Sequence, residues 1–143
     1  MALESYSIDR KAHDLVQNYY TTPARGQAHK MRMTVPYGLE RFWGEHLRLA
    51  GDSANYWKET WTTLVEIMEN AGVHIPHVEI PRRQGQNHRD PAAEAEIKRM
   101  TDELWSFPQE ERKVALAILT ELCDCMVWWT QRYKKLAGGK DDE

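Results

Sequence analysis

Two cysteines and two tryptophans fall close together in the stretch ELCDCMVWWTQRYKK, near the C-terminal end of the chain. Cysteine thiolates ligate zinc and form disulfides, so Cys123 and Cys125 are candidates for a metal or redox site. A regular helix turns by about 100° per residue, which places residues two apart about 160° from each other around its axis. The two thiols therefore cannot hold one metal ion or form a disulfide while this segment is helical. We expect Cys125 to pack in the core with Ile118, Leu122 and Trp129.

The same rotation separates the adjacent tryptophans Trp128 and Trp129. Trp129 falls on the apolar side of this helix, whereas Trp128 falls among charged and polar residues. A large aromatic side chain on a polar face is typical of contact surfaces, where tryptophan and arginine are enriched. We predict a protein interface formed by Trp128, Arg132 and Lys135. The alternative is that a neighbouring helix or loop covers Trp128.

A second group of metal-ligand residue types lies in the segment VHIPHVEI. His74, His77 and Glu79 could ligate a metal ion, but Pro76 lies between the two histidines and no regular element holds the three side chains. The sequence also contains no Gly-rich phosphate loop and no nucleophile elbow. We therefore expect neither a metal nor an organic cofactor.

Arginine and histidine recur with the same spacing in two windows, RFWGEH and RQGQNH. This spacing, with four residues between the arginine and the histidine, resembles the Arg-x4–6-His signature of the HEPN ribonucleases, which are all-helical domains that act as pairs. The resemblance implies that Arg41 with His46, or Arg83 with His88, would cleave RNA without a metal ion. It covers these two windows alone. The residue after the arginine is usually polar in that family, which the second window satisfies and Phe42 in the first does not.

The stretch PARGQAHKMRMTVPYGLERFWGEHLR combines cations with aromatic residues. Five cations and two acids lie between Arg25 and Arg48, whereas six acids and two cations lie between Asp102 and Asp124. Cations that bind phosphates and aromatic rings that stack on bases are the mixture that single-stranded nucleic acid binding uses. The predicted contact residues of such a sequence-nonspecific site are Arg25, Lys30, Arg32, Arg82, Arg83 and Arg89. The uneven charge would equally suit self-association, basic surface to acidic surface.

Helices must position these residues, because apolar side chains recur at spacings of three and four along most of the chain. The predicted helices run from about 7 to 20, from Pro36 towards Gly51, from about 53 to 70, from Pro91 to about 105 and from about 107 to 135, with 24–33 as a possible short helix. Asp90 is a predicted N-cap, and Ser106 with Gln109 has the spacing of a capping box. The segment 73–90 is expected to be a long loop. We predict an all-α fold, a single bundle of about five helices.

The chain has 143 residues and a net charge of −3, which suits one domain. We predict a single helical domain over 1–137 and a disordered charged tail over 138–143. No apolar run approaches the roughly 18 residues that cross a bilayer, and the N-terminus lacks the features of a secretory signal. We expect a cytoplasmic, non-enzymatic subunit of a larger assembly that contacts RNA, single-stranded DNA or a protein partner. The alternatives are a HEPN-like ribonuclease and an adaptor that acts through Trp128.

Overall fold

The computed structural model describes residues 5–78, 80 and 90–137 of the chain. Within these ranges the chain forms six α-helices and no strand, which confirms the all-α prediction. The helices are α1 (Ser5–Tyr19), α2 (Gln27–Thr34), α3 (Leu39–Gly44), α4 (Gly51–Asn70), α5 (Pro91–Trp105) and α6 (Gln109–Tyr133). Short 3₁₀ helices precede α2 at Pro23–Gly26, precede α3 at Val35–Tyr37 and follow α3 at Glu45–Leu47.

Helix α6 is the central element of the bundle. It packs along α1 on one side and along α2 on the other, and α4 also contacts it. Leu119, Leu122 and Met126 are completely buried, because they recur on the side of α6 that faces these three helices. Burial of one such side chain stabilises the fold by about 1.5–3 kcal/mol. The hydrophobic stripe of α6 is therefore the main surface on which the other helices assemble.

The segment from Pro36 to Gly51 does not form the one continuous helix that the sequence predicts. Gly38 has a φ of 107°, a conformation that L-residues rarely adopt, and it separates the 3₁₀ helix Val35–Tyr37 from α3. After Gly44 the chain tightens again into a 3₁₀ helix, in which about three residues make one turn. The prediction that Leu47 belongs to the buried stripe is wrong, because this change of pitch rotates it outwards and leaves it 39% exposed.

The predicted helix caps have different outcomes. The side chain of Asp90 accepts a hydrogen bond from the backbone N–H of Ala93 at 3.2 Å, so the predicted N-cap of α5 is confirmed. The predicted capping box of Ser106 and Gln109 is wrong. The Ser106 hydroxyl instead donates to the carbonyl of Asp102 at 2.6 Å, and α6 begins directly after the extended residue Pro108.

Part of the predicted loop 73–90 is described, and residues 73–78 and 80 adopt neither helix nor strand. Ile75 is buried, and the carbonyl of Pro76 accepts a hydrogen bond from the indole N–H of Trp61 at 3.4 Å. The remainder of this loop, with Arg82, Arg83, His88 and Arg89, lies outside the described residues, as does the predicted tail 138–143. None of the helices in the described part of the chain has the length and apolar character needed to span a bilayer.

Candidate functional site

The outer side of α6 separates its two tryptophans as predicted. Trp128 is 48% exposed, whereas Trp129 is partly buried against the core. Cys125 also packs against the core, as predicted, but Cys123 is the more deeply buried thiol. Burial and the neighbouring Asp9 raise the pKa of Cys125 to about 11. Neither free thiol therefore has the properties of a reactive cysteine.

Five ring side chains form a continuous cluster where α1 meets the C-terminal half of α6. We call it the aromatic cluster; its members are His13, Tyr20, Trp128, Trp129 and Tyr133. Centroid distances are 4.9 Å between Trp128 and Trp129, 4.5 Å between Trp129 and His13, and 4.6 Å between Tyr133 and Tyr20. Trp128 is exposed, and the other four rings are partly buried. The cluster is thus a surface feature that borders the core.

Hydrogen bonds hold three of the rings of the aromatic cluster in place. Nε2 of His13 lies 2.7 Å from the hydroxyl of Tyr133, and the indole N–H of Trp129 donates to the carboxylate of Asp9 at 2.9 Å. These contacts join residues of α1 to residues of α6 that lie far away in the sequence. They hold flat apolar surfaces in a defined arrangement, which lowers the entropy that a planar ligand would have to overcome on binding.

Arg132 adds a cation to the exposed end of the aromatic cluster. Its guanidinium carbon lies 3.9 Å from the centre of the Trp128 ring, within the range of a cation–π interaction. Arg132 is exposed, and Lys135, less than one turn further along, is exposed as well. The three residues predicted as a protein interface thus share one solvent-facing surface.

Helix α2 and the 3₁₀ helix before it supply the described members of the predicted nucleic-acid site. Helix α2 runs antiparallel to α6, because Arg32 reaches Asp124 at 2.6 Å while His29 lies 3.4 Å from Gln131. Lys30 is exposed on this helix. Arg25 lies in the 3₁₀ helix just before α2, where it donates to the carbonyl of Thr22 at 3.2 Å. Arg82, Arg83 and Arg89, the other predicted members, lie outside the described residues.

The two predicted residue sets are therefore neighbours in the fold. Cations of α2 lie on one side of α6, the rings contributed by α1 lie on the other, and Trp128 lies on the outer face between them. We call this region, from Arg25 and α2 across α6 to the aromatic cluster, the α2–α6 surface. It can offer charge to phosphates or carboxylates and a ring face to a planar group.

Part of the charge asymmetry along the sequence is neutralised within the chain. Arg32 of the basic stretch pairs with Asp124 of the acidic stretch, and Arg112 of the acidic stretch pairs with Glu40 of the basic one at 2.8 Å. Each pair joins two elements that come together only on folding. The basic stretch consequently presents fewer available cations than its sequence indicates.

The first Arg–His window places its two residues in different environments. Arg41 is exposed on α3, whereas His46 is 9% exposed and its Nδ1 lies 2.6 Å from the carbonyl of Trp43. An imidazole that transfers protons to RNA must reach the substrate, so His46 would have to leave this position to act. The second window, Arg83 with His88, lies outside the described residues.

No group of three or more potential metal ligands converges within the described ranges. His74 is exposed and lies 3.4 Å from the carboxylate of Glu69, and His77 is exposed too. Glu79, the third residue of the proposed histidine–carboxylate group, lies outside the described residues.

Sequence reasoning missed His13 and Asp9 as parts of a surface site and assigned Trp129 and Tyr133 to the core. A signal was present, since His13 and Tyr20 are seven residues apart on one helix face, and Trp129 and Tyr133 are four apart on another. What the sequence does not show is that these two faces meet.

No family model, curated protein or solved structure matches the chain.

Proposed function

We propose that the protein is a non-enzymatic helical module that binds single-stranded nucleic acid, without sequence preference, through the α2–α6 surface. We expect it to act in a cytoplasm as a small subunit of a larger assembly. The observation that supports the proposal best is the position of Trp128, half exposed and next to Arg132, between the cations of α2 and the other rings of the aromatic cluster.

Each part of this surface has a counterpart in single-stranded nucleic acid. Lys30, Arg25 and Lys135 can neutralise phosphates, and the ring of Trp128 can stack on a base of any identity, because every base has a π-face. Such stacking contributes about 1–3 kcal/mol per base. Duplex nucleic acid offers no unstacked base to the ring, so we expect single strands to bind more tightly than duplexes.

Binding should depend on salt, because the cations contribute by releasing counterions from the phosphates. The described surface has few available cations, and Glu121 and Asp124 lie on the same outer side of α6. We therefore expect moderate affinity at low salt and much weaker binding at physiological ionic strength. A surface of this kind suits a subunit whose partners bring further contacts.

Fluorescence anisotropy with labelled single-stranded RNA and DNA, measured across a salt series, tests the proposal. Trp128→Ala should weaken binding about tenfold, which is what the loss of one stacked base produces. Trp105→Ala is a matched control, because Trp105 is 66% exposed on α5, away from the α2–α6 surface, and its loss should leave affinity unchanged.

A second variant pair tests the phosphate contacts. Lys30→Gln should weaken binding to all sequences and reduce the slope of log K against log salt by about 0.7, whereas Lys113→Gln at the start of α6 should change neither. The proposal is abandoned if the wild-type protein binds no single strand at low salt, or if Trp105→Ala weakens binding as much as Trp128→Ala.

The alternative functions predict other outcomes of the same experiments. A protein adaptor that acts through Trp128 would bind no oligonucleotide at any salt concentration. A HEPN-like ribonuclease would shorten the labelled RNA during incubation, and His46→Ala or His88→Ala would prevent the cleavage. Intact RNA after prolonged incubation with the wild-type protein would exclude that alternative.

A further inference from the structure

The guanidinium of Arg32 already has an anionic partner in the folded chain. Its Nε donates to the carboxylate of Asp124 at 2.6 Å, and both side chains remain partly exposed. Of the residues that the structure describes, Asp124 alone pairs with Arg32. The contact joins α2 to the outer side of α6, one turn before Trp128.

A carboxylate and a phosphate make the same kind of contact with a guanidinium. Both present oxygens that accept charge-assisted hydrogen bonds from its N–H groups. The carboxylate of Asp124 therefore occupies the Nε donor of Arg32 and offsets its charge, so a nucleic-acid phosphate has to compete with this carboxylate for the cation. Because the pair lies at the surface, where ion pairs contribute little to stability and are screened by salt, a phosphate can displace it.

We propose that Asp124 is a specificity-determining residue of the α2–α6 surface, one that competes with nucleic-acid phosphate for Arg32. The proposal rests on the function proposed above and adds to it a reason for weak binding. While Asp124 holds Arg32, this cation contributes little to counterion release, and ligands with fewer or weaker phosphate contacts are rejected. Ligands that reach both Trp128 and Arg32 displace the carboxylate.

Removal of the carboxylate should add one effective cation to the site. Asp124→Asn keeps the size of the side chain and removes its charge. We expect this variant to bind single-stranded RNA or DNA roughly fivefold more tightly at low salt, with a slope of log K against log salt that is steeper by about 0.7. Both quantities come from the same anisotropy series.

Glu121→Gln is the matched control, because it removes one negative charge from the same side of α6. Glu121 has no ion-pair partner among the described residues, so its replacement should change the affinity slightly and leave the salt slope as it is. If Glu121→Gln and Asp124→Asn raise the affinity and steepen the salt slope equally, the gain in affinity comes from the loss of negative charge alone, and the competition for Arg32 is refuted.

A third measurement tests whether the effect of Asp124→Asn on the salt slope requires Arg32. In an Arg32→Gln background, Asp124→Asn should no longer steepen the salt slope, because the cation that it releases is absent. An unchanged gain in that background would overturn the proposal. Absence of binding by the wild type and by every variant would instead contradict the proposed function, so the two failures are distinguishable.

Discussion

Arg112 joins three helices at one end of the bundle. Its guanidinium donates to the carboxylate of Glu40 on α3 at 2.8 Å and also to the carbonyl of Leu104 at the end of α5, while its own backbone belongs to α6. The side chains of Arg112 and Glu40 are only 19% and 17% exposed. Loss of one partner from so sheltered a pair leaves the other poorly solvated, which costs more than the loss of a surface pair.

We expect Arg112→Met to lower the free energy of unfolding by about 2 kcal/mol, because Glu40 and the Leu104 carbonyl lose their donor. Urea denaturation measures the change. Lys113→Met, at an exposed neighbouring position, should cost less than about 0.5 kcal/mol. The double variant Arg112→Met with Glu40→Gln should recover part of the loss. Equal costs at positions 112 and 113 would contradict the assigned role of Arg112.

Cys125 illustrates how burial controls chemistry at one residue. Its pKa is raised from the ordinary 9.0 to about 11, first by burial and then by Asp9. The unfolded chain therefore releases this proton at a lower pH than the folded chain does. The raised pKa of Cys125 therefore contributes fully to the free energy of unfolding below about pH 9, and this contribution decreases as the pH rises from there through 11.

The thiols of the native protein should resist alkylation at pH 8.5, and the reactivity of Cys125 should increase only as the pH approaches 11. Cys123 is fully buried and should react only when the chain unfolds. Mass spectrometry after timed exposure to iodoacetamide measures both rates, with protein in guanidinium chloride as the reference. Rapid modification of either thiol at pH 8.5 in the folded protein would show that the packing around α6 is looser than the structure indicates.

At the scale of the helices, the packing of each helix end against neighbouring helices determines whether a capping residue in the sequence caps a helix in the structure. Asp90 caps α5 through the N–H of Ala93, whereas Ser106 bonds back into the last turn of α5 instead of capping α6. Likewise, the indole N–H of Trp57 on α4 donates to Gln27 at the start of α2 at 2.7 Å, which fixes the contact of these two helices.

Asp90→Ala should lower the free energy of unfolding by about 1 kcal/mol, because the first turn of α5 loses an acceptor for one of its free N–H groups. Ser106→Ala should cost less than Asp90→Ala, because Ser106 caps no helix N-terminus. Thermal or urea denaturation of both variants gives the comparison. If Ser106→Ala lowered the free energy of unfolding more than Asp90→Ala, Ser106 would have the capping role in α6 that the structure contradicts.

The whole molecule is organised around one continuous core. Buried residues from α1, α2, α3, α4, α5 and α6 belong to the same hydrophobic cluster, and buried Ile75 between α4 and α5 joins it. Chains of this size with a single core usually unfold in one cooperative step. The internal pairs Arg32–Asp124 and Arg112–Glu40 also reduce the charge that would drive basic-to-acidic self-association.

We expect the chain to unfold in a single transition, with coincident midpoints for far-UV circular dichroism, which follows the helices, and for tryptophan fluorescence. The six tryptophans lie on α3, α4, α5 and α6, so their emission follows most of the core. Urea titration monitored by both signals tests the prediction of one domain over 1–137. Two separate midpoints would indicate two units that unfold independently.

The sequence by itself determined the helical class, the bounds of most helices, the cap at Asp90 and the separation of Trp128 from Trp129 around α6. All of these depend on local spacing and on turn residues, which act within a few positions of the chain. Only the tertiary structure decided that Arg32 meets Asp124, that His13 and Tyr20 lie against Trp129 and Tyr133, and that Cys123 is buried while Trp128 stays exposed. Those contacts depend on which helix faces pack together, and many pairings of amphipathic helices bury similar apolar area, so the periodicity of one helix does not specify its neighbour.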